Sequence, residues 1–223
     1  MKKIIIAIFL FFSLEISAQL NGEVGYSLSY MKADNINAII DTYNKTGDNK
    51  LKAMNTLHLL DGFNIGASYR SGMWKMGVYW ENLSANRTGI EGNIDNNDAF
   101  ERKVYFYLNS LSSVMELQYE HLGLGATVDY NYYSLKTSIN GTTSKIPLYE
   151  ENFYSSKIYL IFYLRGSDKL GIAFKPYVRL PWSDSNISAL GDFLKTGTGL
   201  ESTEKFIQFG LTFTILNGPQ IDL

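Results

Sequence analysis

The chain has 223 residues, with 20 Lys and Arg against 22 Asp and Glu, no cysteine, 45% hydrophobic residues, 14% aromatic ones, 19 Gly and 4 Pro. These values exclude a disordered tail, a collagen-like repeat and a disulfide-stapled miniprotein, and a net charge of -2 offers no basic field for a nucleic-acid backbone. A length near 200 suits a single all-β domain, and one domain over residues 19–223 is the expectation.

The first element is Met1-Lys2-Lys3 followed by an apolar run from Ile4 to Phe12 and the small residues Ser17 and Ala18. That order reads as a secretory signal peptide over residues 1–18, cleaved after Ala18. The run is less than half of the ~20 residues that a helix needs to cross a bilayer. Losing Lys2, Lys3 and Glu15 leaves 18 basic against 21 acidic residues, a net charge of -3. No cysteine follows the run, so no lipid-anchored precursor is expected.

Beyond residue 18 no apolar stretch is long enough for a helical span, and the pattern is strict alternation. In the first strand Val24, Tyr26, Leu28 and Tyr30 alternate with Glu23, Gly25, Ser27 and Ser29. The long connection that follows, Lys32 to Asp61, holds Ile36, Ile39, Ile40 and Tyr43 at helical spacing, with Asp34 as cap and Gly47 as stop. This predicts a short amphipathic helix whose stripe packs on the rim or on Leu51, Met54 and Leu57. Two strands then meet at Ser71-Gly72, with Phe63, Ile65, Ala67 and Tyr69 apolar in one and Trp74, Met76, Val78 and Trp80 in the other.

Asn86 to Glu101 reads as a long loop, and Met115-Leu117-Tyr119 and Leu122 to Tyr130 form a pair joined by the short turn Glu120-His121. Lys136 to Phe153 is again long. Lys157 to Arg165 is apolar on both faces, so its facing stays open, and Gly166-Ser167-Asp168 turns it into Leu170 to Val178. A last long connection, Pro181 to Glu204, precedes Ile207 to Ile215. Eight strands with alternating long and short connections predict an all-β, antiparallel up-and-down barrel of the transmembrane kind.

A lipocalin-like soluble barrel would reverse the facing, with apolar residues inside. Here the apolar face is rich in Tyr, Trp and Phe near strand ends, as girdles at two membrane interfaces require, and the other face carries Gly, Ser, Thr and charges that suit a narrow interior. On strand count, loop alternation and facing, residues 20–216 resemble the small eight-stranded outer-membrane barrels of the OmpA and OmpX type. The resemblance implies an outer-membrane location in a Gram-negative-type cell, with membrane lipid around the barrel and an extracellular protein or glycan as the partner of the long loops. The chain departs from the pattern in not ending on a strand-terminal Phe.

The polar face is expected to form a lumen charge network of Glu23, Glu81, Glu116 and Asp129 against Arg70, Lys75, Lys175 and Arg179, four of each sign. Glu81 should face Arg179, and Glu116 and Asp129 should both lean toward Lys175. Glu23, Arg70 and Lys75, beside the short turns, should reach water. No catalytic, metal or cofactor site is expected. His58 and His121 fall on opposite sides of the membrane, and His58 with Ser84 or Ser183 is the sole candidate for lipid chemistry. Ser29-x-x-Lys32 and Lys195-Thr196-Gly197 match enzyme motifs by chance, since Lys45-Thr46-Gly47 matches equally well. The acidic stretch Glu91, Asp95, Asp98 and Glu101 has no calcium-loop spacing, and Gly123 and Gly125 precede no helix. The expected role is structural or surface interaction, with small-molecule transport or lipid modification as the alternative.

Overall fold

The computed structural model describes residues 19–46, 50–91, 100–139, 144–166, 170–194, 196 and 202–217. The signal-peptide reading, Gly47, most of the acidic stretch, and both Lys195 and Gly197 lie outside them. The elements in chain order are β1 (Gln19–Met31), α1 (Asp34–Lys45), β2 (Lys50–Lys52), β3 (Leu59–Ser71), β4 (Trp74–Glu91), β5 (Phe100–Tyr119) and β6 (Leu122–Ile139). They continue with β7 (Ile146–Arg165), β8 (Leu170–Pro181), β9 (Ser185–Asn186), α2 (Ser188–Leu194), β10 (Thr203–Glu204) and β11 (Gln208–Asn217).

Eight antiparallel strands close in the order β1-β3-β4-β5-β6-β7-β8-β11, and β11 returns to β1 with Tyr26 opposite Phe213. Closure leaves no free edge along the barrel. The short strand β2 adds to the upper end of β4, and β9 pairs with β10 above the barrel. At the bottom, Gly72 and Glu120 take the positive φ values of 56° and 48° that the tight turns demand.

Four strands are longer than their alternation suggests. The expected loops Asn86 to Glu101 and Lys136 to Phe153 are largely strand, because β4 runs to Glu91, β5 begins at Phe100, β6 reaches Ile139 and β7 begins at Ile146. The period of two persists there while the polarity of the faces swaps. On β5 the outward residues Leu111, Met115, Leu117 and Tyr119 are exposed and apolar, and above them Asn109, Tyr107 and Lys103 point outward. On the inward face, Glu116, Ser112 and Ser110 give way upward to Leu108, Phe106 and Val104. The other long strands invert at the same level: outward Trp80 is followed by Asn82 and Ser84, and outward Tyr130 by Tyr132, Ser134 and Lys136. A polarity change with no register change hides a strand from a reading that tracks one apolar face.

Below the inversion the apolar exterior runs from Leu111 to Tyr119 on β5 and from Tyr154 to Leu164 on β7. At about 3.4 Å per residue and a tilt of about 40° these spans are about 21 and 26 Å tall, close to the ~25 Å apolar band of a membrane barrel. Tyr154 stacks on Trp182 with ring centres 5.8 Å apart, and Phe63 meets Trp80 edge-on at 5.4 Å, along the upper margin of the belt.

Above the inversion the interior is an apolar plug. Met31, Leu60, Leu83, Leu108, Tyr133 and Phe153 line the barrel's upper wall, and α1 fills the mouth with Ile36, Ile39, Ile40 and Tyr43 while α2 adds Leu190 and Leu194. Phe206 sits at the centre, 5.0 Å from the Tyr133 ring and 5.3 Å from the Phe106 ring. The stripe of α1 packs on Met54 and Leu57 as well, whereas Leu51 is exposed and takes no part. Asn37 of α1 brackets Leu57, donating to its carbonyl at 3.2 Å and accepting from its N–H at 2.7 Å, and Asn44 brackets Met54 in the same way.

The capping of α1 differs from expectation. Asp34 lies inside the first turn and pairs with Lys32 at 3.2 Å, and Ala33 at the N-cap position provides no side-chain bond. The first turn is closed instead by Glu204 from β10, whose Oε2 accepts from the N–H groups of Asn35 at 2.7 Å and Ile36 at 3.1 Å. An aliphatic residue at the cap leaves donors open, and a remote carboxylate suits both them and the helix dipole.

Candidate functional site

The lumen below the plug holds the charged residues, and eight of them form two compact groups with two acids and two bases each. In the lower group, Lys75 of β4 contacts Glu23 of β1 and lies 2.9 Å from Glu116 of β5. Lys175 of β8 crosses the lumen to the same two carboxylates at 3.1 and 2.9 Å. Tyr159 donates its hydroxyl to Glu116 at 2.6 Å, and Ser68 donates to Glu23 at 3.1 Å. In the upper group, Arg179 of β8 contacts Glu81 of β4 and lies 3.2 Å from Asp129 of β6. Lys157 of β7 reaches Glu81 at 3.0 Å. Ser27 and Ser155 add hydroxyls to Glu81 and Asp129, and Gln208 accepts from Arg179 at 2.9 Å.

Each group is neutral, which removing charges from water requires: an ion in a dry interior is tolerable only when paired and when its remaining valences are met. Arg70 is the ninth charge. It is buried near the lower end and donates to Gln118 of β5, and no carboxylate pairs with it among the described residues.

Several placements differ from the sequence-based ones. Asp129 pairs with Arg179, leaving Lys175 to Glu23 and Glu116, because Asp129 sits one layer higher on β6. Glu23, Arg70 and Lys75 do not reach water; they are 1%, 4% and 1% exposed. Glu23 and Lys75 are taken up by the lower group, and Arg70 by Gln118. Lys157 escaped notice because it begins a segment that is apolar on both faces, although Tyr159, Ile161 and Tyr163 follow it at period two with the inward burial of a lumen face.

Inward tyrosines complete the filling. Tyr159 lies flat across Gly125 of the neighbouring strand, where an added Cβ would fall 2.3 Å from the ring, and Tyr79 covers Gly66 in the same manner. Gly171 and Gly210 sit beneath Tyr163 and Tyr177. A glycine opposite an aromatic lets a large ring lie along a narrow wall, which is why these glycines occur inside strands. Between the two charge groups lies a cavity of about 50 Å³ lined by Glu81, Lys157, Lys175, Tyr79, Tyr159 and Tyr177 among others. That is room for about one or two water molecules.

The histidines occupy structural positions. His58 stacks on Tyr30 with ring centres 5.1 Å apart and lies 3.3 Å from the Asn37 amide. Its described hydrogen bonds include neither Ser84 nor Ser183. His121 reaches the Tyr163 carbonyl at 3.2 Å, in the short turn at the other end of the barrel.

No family model matches the sequence, and no curated protein matches it significantly. Solved structures to which it is similar include the attachment invasion locus protein Ail of Yersinia pestis, crystallised with the heparin analogue sucrose octasulfate. That match has 12% identity and a TM-score of 0.49 over 89% of this chain and 98% of that one. Neisserial surface protein A gives 9% identity and a TM-score of 0.43 over 90% and 96%. The N-terminal barrel domain of Pseudomonas aeruginosa OprF gives 12% and 0.37 over 87% and 96%. At these identities no function is carried across.

Proposed function

We propose that the protein is an integral β-barrel of a bacterial outer membrane, exported by residues 1–18, with a structural or surface-interaction role and a plugged lumen. The observation that carries this reading is the inside-out polarity below the inversion. Leu, Val, Ile and aromatic side chains cover the exterior as a continuous belt, while carboxylates, ammonium groups and two guanidinium groups fill the interior. In water such a belt would be an aggregating surface, and in lipid it is the solvated one.

The two charge groups and the apolar plug support a barrel that does not conduct. Because the first and last long connections fold back over the mouth, the rim around α1 and α2 is the surface offered to an extracellular protein or glycan. The transport alternative would need a path through two paired layers of ions and a packed apolar plug, and nothing in the geometry favours it.

The test combines fractionation with planar-bilayer recording of the purified protein. The expected result is recovery with outer membranes, an N-terminus at Gln19, slower or faster gel migration before boiling than after it, and no steady current. Recovery in the soluble periplasm defeats the membrane reading, and stable open channels defeat the plugged lumen.

A further inference from the structure

The exterior wall of β5 and β6 carries a feature that the closed lumen does not use. Just above the polarity inversion, Tyr107, Asn109, Tyr132, Ser134, Lys136 and Lys145 line an outward-facing groove of about 300 Å³. We propose that this groove binds the phosphorylated headgroup of a lipid in the surrounding outer leaflet, an inference that rests on the membrane placement above.

The groove is held ready by its own aromatics. The Tyr105 and Tyr107 rings are nearly parallel, 6.4 Å apart, and the Lys145 ammonium sits over both, 4.4 and 5.1 Å from their centres. It also donates to the Tyr107 hydroxyl. Cation–π contact fixes an ammonium without neutralising it, so its positive charge stays available to an anion. Among the described residues Lys145 has no carboxylate partner. Lys136 lies 6.0 Å from the Tyr107 ring and 3.7 Å from Glu150, which also accepts from Ser134 at 3.1 Å. Two ammonium groups therefore face one carboxylate, and the excess is positive. At the corresponding height the neighbouring β4 presents the uncharged Ser84, Asn86 and Thr88 outward.

Position points to a lipid over a soluble anion or a protein. Asn109 and Tyr132 stand two residues above the belt and Lys136 six residues above Tyr130, which is about 5 and about 16 Å at ordinary strand rise and tilt. That interval is where headgroups lie. Directly beneath, on the same two strands, Leu111, Met115, Val128 and Tyr130 are exposed. A molecule with an anionic head and acyl chains meets both surfaces at once. A free phosphate meets only the upper one.

The test uses the full barrel in phosphatidylcholine nanodiscs doped with a diphosphorylated lipid A, with retained lipid counted by native mass spectrometry after release. Wild type should retain the doped lipid, and Lys136→Gln/Lys145→Gln should retain it about thirtyfold less, the loss expected for removing two cations at a headgroup surface. Lys32→Gln, on the first long connection, should behave as wild type. Equal retention by the double variant overturns the proposal. Displacement of the lipid by millimolar inorganic phosphate overturns the lipid as its source. Failure of all variants to enter nanodiscs overturns the membrane reading and this inference with it, whereas entry without retention overturns the groove alone.

Discussion

Glu204 Oε2 lies 2.7 Å from the backbone nitrogen of Asn35, so a carboxylate from the last connection closes the N-terminus of a helix in the first. Replacing an N-terminal capping acceptor costs about 1 kcal/mol. Glu204→Ala is expected to loosen α1 by about that amount while leaving the barrel's gel mobility unchanged, and Glu204→Gln, which keeps an acceptor oxygen, to loosen it by less. Amide hydrogen exchange of residues in α1 reads the difference. Equal protection in wild type and Glu204→Ala would remove Glu204 as the cap.

The same carboxyl gives the lid a pH dependence. Burial pushes Glu204 above its ordinary value near 4.5, against the opposing bonds from Ile36 and Asn35. A carboxyl raised on folding binds more protons folded than unfolded, so its contribution is fully present below the ordinary value and is lost as pH rises through the raised one. Protection of α1, corrected for intrinsic exchange, should therefore fall as pH rises above 4.5, and Glu204→Gln should flatten the dependence. Protection that increases over that window contradicts the sign.

Lys75 and Arg179 should be comparably costly to remove. Each is buried and contacts two carboxylates, and breaking such a set costs about 3 to 5 kcal/mol by leaving an acid unpaired. Lys75→Met and Arg179→Met should both lower the urea midpoint of the reconstituted barrel, followed by tryptophan fluorescence. A Lys75→Met variant as stable as wild type would show that water reaches that layer.

Gly125 and Gly22 offer a matched pair of substitutions. A methyl at Gly125 would strike the Tyr159 ring and displace its hydroxyl from Glu116, whereas Gly22 has open space around it. Overpacking of this kind typically costs about 1 to 3 kcal/mol, so Gly125→Ala should destabilise and Gly22→Ala should be near neutral in the same unfolding assay. Equal midpoints for the two variants would mean that Tyr159 has another place to go.

Phe206→Ala should separate stability from conductance. Removing a buried Phe costs about 3 to 5 kcal/mol, yet both charge groups below it remain in place. The variant should unfold earlier and still pass no steady current in a planar bilayer. A current in Phe206→Ala would locate the barrier in the plug alone.

The belted lower part of the barrel was legible because one periodicity and one polarity rule ran together from Val24 to Ile215. Where they parted, reading by the apolar face lost the strand: Phe106, Leu108, Tyr133 and Leu135 keep the period but move the apolar side inward, so the upper walls looked like loops. Charge positions were readable on strands with two distinct faces, and eight of the nine lumen charges came from these. Lys157 was lost where Ile158, Leu160 and Ile161 made both faces apolar. Partner choice was not readable at all for Asp129, since which base it meets depends on the stagger between strands, a property of closure that no single strand contains. Glu204 gave no local signal, because the donors it satisfies lie near the other end of the chain.

The lid straddles the line where β1 meets β11, the barrel neighbours that come from opposite ends of the described chain. Lys32 donates its N–H to the Ile207 carbonyl at 2.8 Å immediately above that line, and the Glu204–Asn35 contact lies beyond it. α1 precedes its cap by about 170 residues of chain, so the helix gains that cap only once the segment leading into β11 is in place. Reopening along the β1–β11 line must first break this clasp, which gives the seam a mechanical guard built from the first and last connections.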